Sequence, residues 1–245
     1  MNRTGLIVAL AIAALFGVIF GVEPNLDLGL SRPFADVSQG SNHFGLSVNP
    51  LVMAARNFGV WGVGALVTPA VVTLVIKLAF PRARLWISSR AIVFLIATMA
   101  LGPGLLVNVV LKEHWGRSRP IDVVQLGGDE KFVAWWDPRG ECRSNCSFVS
   151  GDISGAFWTL APAALAPPAW RALAYGGAIA FGVAVSLLRM AAGAHFFTDA
   201  VFAGVFMFLI IWVLHGMIYR WPRTRLTDDD IETAIERATF RSSRG

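Results

Sequence analysis

The chain has 245 residues, 55% of them hydrophobic and 15% charged, with a mean hydropathy of +0.59. A soluble domain carries nearer a quarter charged residues, so the composition argues against a soluble protein and for one inserted in a membrane. The formal net charge of +5 does not imply nucleic acid, because the 21 Lys+Arg cluster at the ends of apolar runs and in a C-terminal tail, where they orient a chain in a bilayer.

Taken in chain order, six apolar runs approach or reach the length needed to cross roughly 30 Å of hydrocarbon at about 1.5 Å per residue. They lie at about 5–22, 59–80, 91–111, 153–169, 172–188 and 199–219. The first resembles a signal peptide in length, but "FGVIFGVEPN" has no small-x-small cleavage site and reads as an uncleaved span. The fourth is the shortest and carries Pro162, Pro167 and Pro168. The expectation is an all-α fold: a six-span transmembrane helical bundle with a long extracytoplasmic loop between spans three and four. Residues 1–219 form one membrane domain and 220–245 a cytoplasmic tail. No internal repeat or low-complexity segment is present.

Six spans put both termini on one side, with twelve Lys and Arg, among them Lys77, Arg171 and the tail residues Arg241 and Arg244; nine fall on the other. This bias places the termini in the cytoplasm. Trp86, Trp115, Trp170 and Trp221 fall near span ends and read as an interfacial aromatic belt. The tail "RLTDDDIETAIERATF" reads as a short surface helix capped by Thr227, with Ile231, Ala234, Ile235 and Ala238 on one side. Cys142 and Cys146 lie in the long loop, where an oxidising compartment favours a disulfide; two cysteines without a nearby His make a poor zinc site.

Three polar clusters interrupt this pattern at span ends, and the six-span topology puts all three on the non-cytoplasmic face. Charge at such depth is costly and suggests function. The first cluster, "KEHWGRSRP", offers Lys112 and Arg119, both suited to phosphate oxygens. The second, "SFVSGDISG", offers Ser150 as a helix N-cap and Gly151 as a point of close backbone approach to an anion. The third, "LRMAAGAHFFTDA", offers Arg189, His195 and Asp199. If 195–199 is helical, the His and Asp share a face and the carboxylate can accept a hydrogen bond from the imidazole. Taken singly, these are ordinary capping, interfacial and surface residues, and His215 in the last span keeps that reading. Together they converge on a tetrahedral oxyanion such as phosphate. Arg117 is left outside this core site.

The order and spacing resemble the signature of the type-2 phosphatidic acid phosphatase superfamily, which also contains bacterial acid phosphatases and vanadium haloperoxidases. Lys112, six residues, then Arg119-Pro120 matches its first motif in full; Val149 to Asp152, "VSGD", stands where the family has Pro-Ser-Gly-His; Arg189, five residues, His195, three residues, Asp199 keeps the third motif, with Leu188 in place of Ser. The resemblance implies a phosphatase needing no metal or other cofactor. His195 would attack phosphorus to give a phosphohistidine, and Asp199 would orient it. Lys112, Arg119, Arg189, Ser150 and the Gly151 amide would hold the phosphoryl oxygens.

Asp152 replaces the family's leaving-group acid. Three outcomes are open: an Asp152 of raised pKa serves as that acid, His114 takes the role, or the leaving group needs little help. The implied partners are membrane lipids and a lipid phosphate substrate: lipid A, phosphatidylglycerophosphate, phosphatidic acid or polyprenyl diphosphate. Trp135 and Trp136 are placed to line a lateral opening from the bilayer. The "CSFVSGD" form looks like that of envelope lipid phosphatases of Gram-negative bacteria, including those acting on lipid A. That implies a multi-pass protein of the bacterial inner membrane with its site facing the periplasm. A lipid phosphotransferase or a catalytically weak relative would share the same residues. Nothing in the sequence sets an oligomeric state.

Overall fold

The computed structural model describes residues 2–36, 38 and 43–242, without the side chains of 238–242; Ala238, Arg241 and Arg244 of the tail therefore lie outside the described side chains. The described chain is helical, with a single isolated β-bridge between Val123 and Glu130. In order come α1 (Arg3–Val22), α2 (Asn25–Ser31), α3 (Pro50–Ala79), α4 (Ser89–His114), α5 (Gly151–Trp158), α6 (Leu160–Leu165), α7 (Pro168–Ala191), α8 (Phe197–Arg220) and α9 (Asp228–Ser242). Five of these, α1, α3, α4, α7 and α8, are long and apolar enough to cross a membrane.

The expected fourth span, 153–169, does not form one helix. The ring of Pro162 conflicts with the carbonyl of residue 158, four positions back, so α5 ends at Trp158 and α6 restarts at Leu160. Pro167 and Pro168 then force Ala166 and Pro167 into extended backbone, with ψ of 145° and 148°, which ends α6. The two helices have eight and six residues, too few for a span of their own. They are enclosed instead: Ile153, Trp158 and Ala161 are fully buried. The Trp158 indole N–H, which would be costly unpaired, donates to Thr98 Oγ1 at 2.9 Å.

Helix α8 runs against α1, α4 and α5. Phe157 of α5 packs its ring between Gly182 of α7 and Gly204 of α8. A Cβ at Gly182 would stand 2.4 Å from that ring, so only glycine lets α7 pack here. Along α4 the winding widens to a π-helix over Ala100–Leu111, around Pro103, and Lys112 N–H donates back five residues to Val107.

Two local features bring the polar clusters to one end. The 142–147 segment is bonded to the end of α4 and the residues after it: Cys146 N–H to Lys112 O, Ser147 N–H to Arg117 O, and Cys142 N–H to Gly116 O. Cys142 and Cys146 are disulfide-bonded, and Asn145 between them has φ of +52°. The second feature is the turn between α7 and α8, where Gly193 (φ +67°) reverses the chain so that Arg189 and His195 face the same space. A Cβ there would also meet the Phe44 ring at 2.5 Å.

The loop from 115 to 150 packs onto this end through aromatic rings. Trp115 stacks on Phe148 and its N–H donates to Trp135 O; Trp135 stacks on Phe202 at 4.3 Å between centroids. Trp115 and Trp135 are therefore packing residues, while Trp86 and Trp170 are exposed as a belt residue would be and Trp136 is half exposed. At the opposite end α9 docks beside α3 and α4. Thr227 and Asp230 form a reciprocal cap, Lys77 pairs with Glu232 and Glu236 at 3.0 and 3.3 Å, and Asp228 takes Ser88 Oγ and Arg90 N–H. The tail helix is thus anchored by charge as well as by buried Ile231.

Candidate active site

Residues from five segments meet at the end of the bundle where α4 stops and α5 and α8 begin. Lys112, in the last turn of α4, donates to Asn145 Oδ1 at 2.9 Å, and Arg119 donates to the Asn145 carbonyl at 2.7 Å. Asn145 thereby aligns both cations. Ser150 caps α5, accepting the Ile153 N–H, and is fully buried. At Gly151 a Cβ would lie 2.8 Å from Asn108 Oδ1, so glycine lets the first turn of α5 approach Asn108, with Lys112 Nζ at ordinary contact distance, 3.5 Å. The N–H groups of a first helical turn have no partner within the helix, and such a helix start favours an anion.

Asp152 lies one residue on. Arg56 of α3 donates to it twice, Nε at 2.7 Å and Nη2 at 3.3 Å, and Arg189 Nε stands 3.1 Å away. Burial pushes this carboxyl up, but the Arg56 hydrogen bonds and the charges of Arg189 and Arg56 outweigh it and hold the pKa below the usual value. Asp152 is therefore an ionised partner of two guanidiniums. His114 is exposed, with its Nδ1 bonded to the Val110 carbonyl one turn back, and it does not line the cavity beside Lys112.

His195 is 2% exposed, and its Nδ1 lies 2.8 Å from the Ser147 carbonyl. A carbonyl oxygen only accepts, so Nδ1 carries the proton and Nε2 holds the lone pair of the neutral ring. Asp199 Oδ2 is farther off, at 3.7 Å. The expected direct bond from imidazole to Asp199 is thus replaced by one to main chain, because Asp199 is engaged elsewhere: by Arg117 Nη1 at 2.6 Å, by Ser147 Oγ, and by Phe196 N–H at 2.8 Å. Burial holds the His195 pKa below its usual value, with the charges of Arg189 and Arg119 acting in the same direction and Asp199 opposing.

Arg117, left outside the core site in the sequence analysis, is fully buried, and its donors are spent away from Lys112 and Arg119. Its Nη2 donates to Asp27 at 2.7 Å, its Nη1 to Asp199 and Thr198, and its plane covers the Phe196 ring. Asp27 of α2 also accepts from Thr198 N–H and Oγ1. Burial raises the Asp27 pKa more than Arg117 lowers it. Asp27, Arg56, Asn145 and Ser147 were likewise missed. Among the described residues no group of three or more His, Cys, Asp or Glu is placed to hold a metal ion.

A cavity of about 190 Å³ opens beside Lys112, Gly151 and Asp152 and continues between α3 and α7. The arrangement offers four cations, a capped helix start and an imidazole with its lone pair set by main chain.

Residues 91–223, more than half of the chain and all of the site except Arg56 and Asp27, match the family described as the PAP2 superfamily. The chain belongs to the PAP2 superfamily. Three relatives are named lipid A 4'-phosphatase. That of Francisella tularensis subsp. novicida (strain U112) is 42% identical over 132 residues, 54% of this chain and 60% of that protein. That of Rhizobium leguminosarum is 41% identical over 106 residues, covering 43% and 46% of the two chains. That of Rhizobium etli is 38% identical over 104 residues, covering 42% and 40%. The match therefore spans less than two thirds of each PAP2 relative. No solved structure matches the chain.

Proposed function

We propose that this PAP2 protein is a membrane lipid phosphatase that hydrolyses the phosphate of a lipid phosphate, with a lipid A-type glycolipid as the favoured substrate. The observation that carries this is His195: its Nδ1–H is committed to the Ser147 carbonyl, beside Arg119 and Arg189, which leaves Nε2 as the nucleophilic nitrogen. The names of the three relatives support the substrate class.

In this reading Lys112, Arg119, Arg189, Ser150 and the Gly151 amide bind the phosphoryl oxygens. His195 Nε2 attacks phosphorus, the bond to the lipid oxygen breaks, and a phosphohistidine forms. Asp199, through Ser147 and its own charge, stabilises the imidazolium. Water then attacks phosphorus and releases inorganic phosphate. Asp152, held ionised, keeps Arg189 and Arg56 in place, and the leaving oxygen takes its proton from water at the open mouth. The reaction needs no added metal.

The same reading has the chain crossing the membrane six times. The enclosed α5–α6 pair carries it from the site end to the start of α7, and the site opens to the periplasm of a bacterial inner membrane, beside the outer leaflet. Residues 1–219 act as one unit with 220–245 as a cytoplasmic tail.

The test is phosphate release from purified protein in detergent, with EDTA, on a panel of radiolabelled lipid phosphates. Wild type is expected to release inorganic phosphate and to yield an acid-labile phosphoenzyme on quenching at high pH; His195→Ala is expected to do neither. Transfer of the label to a second lipid would make it a phosphotransferase. Undiminished turnover by His195→Ala would end the proposal.

A further inference from the structure

Arg56 lies outside every motif, six residues into α3 and among residues that are largely exposed. Its side chain is 42% exposed, and it lines the cavity beside the phosphate-side cations. A charged side chain on a membrane helix is expensive, and a bidentate clasp on Asp152 uses only two of its five N–H donors. On the neighbouring helix α4, Asn108 is also exposed on an apolar span and lines the same cavity. Below these groups the walls turn apolar at Val60, Phe181 and Val185, and Gly59 borders the space, where an added Cβ would come into ordinary contact with the Phe181 ring at 3.6 Å. Polar groups therefore collar the mouth nearest the phosphate, and an apolar trough follows.

We propose that this cavity is the subsite for the acyl linkage nearest the scissile phosphate, with Arg56 as the specificity-determining residue that donates to its carbonyl. The proposal rests on the phosphatase reading above and deepens it. The matching ligand has three parts in sequence: a phosphate, an ester or amide carbonyl within a few bonds of it, and an alkyl chain. An acylated glycolipid or glycerolipid phosphate supplies all three. A polyprenyl phosphate supplies no carbonyl, so its headgroup leaves the Arg56 donors unused.

The experiment measures kcat/KM for an acylated glycolipid phosphate, phosphatidic acid, a polyprenyl phosphate and soluble p-nitrophenyl phosphate. Wild type is compared with Arg56→Gln, Arg56→Lys and Gly59→Leu. Loss of a charged hydrogen bond predicts that Arg56→Gln lowers the ratio of acylated to soluble kcat/KM by roughly 10- to 100-fold, mainly through KM. Arg56→Lys restores part of it, since the charge remains but the fork is gone. Filling the trough with Gly59→Leu lowers the same ratio through a different residue. An equal loss on all four substrates, or a ratio unchanged in both Arg56→Gln and Gly59→Leu, overturns the subsite. Absence of wild-type turnover on all four overturns the phosphatase reading and the subsite with it.

Discussion

Arg117 and Asp199 meet at 2.6 Å with neither side chain exposed to any solvent. The second guanidinium nitrogen is held as firmly by Asp27, so one cation joins a carboxylate of α2 to a carboxylate of α8 and seats the loop from 115 to 150 between them. Removing one member of a buried ion pair strands the other, at a cost of about 3–5 kcal/mol. Arg117→Met should therefore lower Tm markedly in detergent. Arg117→Lys should rescue little, because a single ammonium cannot reach both carboxylates and the Val133 carbonyl. A Tm unchanged in Arg117→Met would remove the network from any structural role.

The division of labour between Ser147 and Asp199 predicts unequal effects. Ser147→Ala keeps the main-chain carbonyl that sets the His195 tautomer, so kcat should fall less than about tenfold, the scale of one neutral hydrogen bond. Asp199→Asn presents an amide to three donors and removes the charge facing the imidazolium. Its kcat should fall by on the order of 10² or more. Equal losses in the two variants would contradict the geometry.

Under the proposed mechanism the acid limb of kcat/KM reports His195, which must be neutral to attack. Burial and the nearby Arg189 and Arg119 hold its pKa below 6.5, so activity should persist below that pH. Arg189→Gln removes a cation and should move the limb upward on the same substrate. The linked effect on stability has a definite sign. A histidine depressed in the fold contributes stability above its unfolded pKa, and that stability is lost as pH falls through 6.5 toward the folded value. Wild-type Tm should accordingly drop between about pH 7 and pH 5 by more than that of His195→Gln.

Asp152 separates two roles. As an ionised partner of Arg56 and Arg189 it repels an incoming anion, so Asp152→Asn should tighten inhibition by inorganic phosphate and keep kcat within about tenfold of wild type. A general acid would instead cost about 10²–10⁴ in kcat when removed, most severely on monoesters with poor leaving groups. Steady-state kinetics on a lipid monoester and a diphosphate decide between them.

Two glycines should fail differently. Gly182→Ala drives a Cβ into the Phe157 ring at 2.4 Å in a packed helix interface and should cost about 1–3 kcal/mol, read as a lower Tm. Gly151→Ala meets only the tip of Asn108 and the Lys112 ammonium, which can yield. Its Tm should change little while KM rises.

Much of the site was legible in advance because its chemistry is local. Lys112 with Arg119, and His195 with Asp199, occur at fixed spacings within short stretches, and the three clusters do meet. What sequence hid was everything set by partners far away. Asp27 lies 171 residues from Thr198 and sits in "NLDLGLS", where it reads as a solvated acid at a span end; only the fold shows it sealed against Arg117. Arg56 stands three residues before the apolar run at 59–80, where a cation is ordinary, and its clasp on Asp152, 96 residues away, shows only in the fold. That the fourth apolar run is two short helices and not one was hidden for a physical reason: apolar composition reports burial, and burial inside a bundle looks the same as burial in lipid. Pro162 already marked the break.

The docking of α9 has a practical side. Lys77 is 2% exposed, and both of its acids come from the tail helix. A protein shortened at residue 226 would strip that ammonium of both its carboxylates and of the helix packed over it, and would leave the ends of α3 and α4 beside α9 without their clasp. Reporter fusions or affinity handles that replace the tail would therefore be felt through the bundle, whereas ones appended beyond the helix leave the clasp closed.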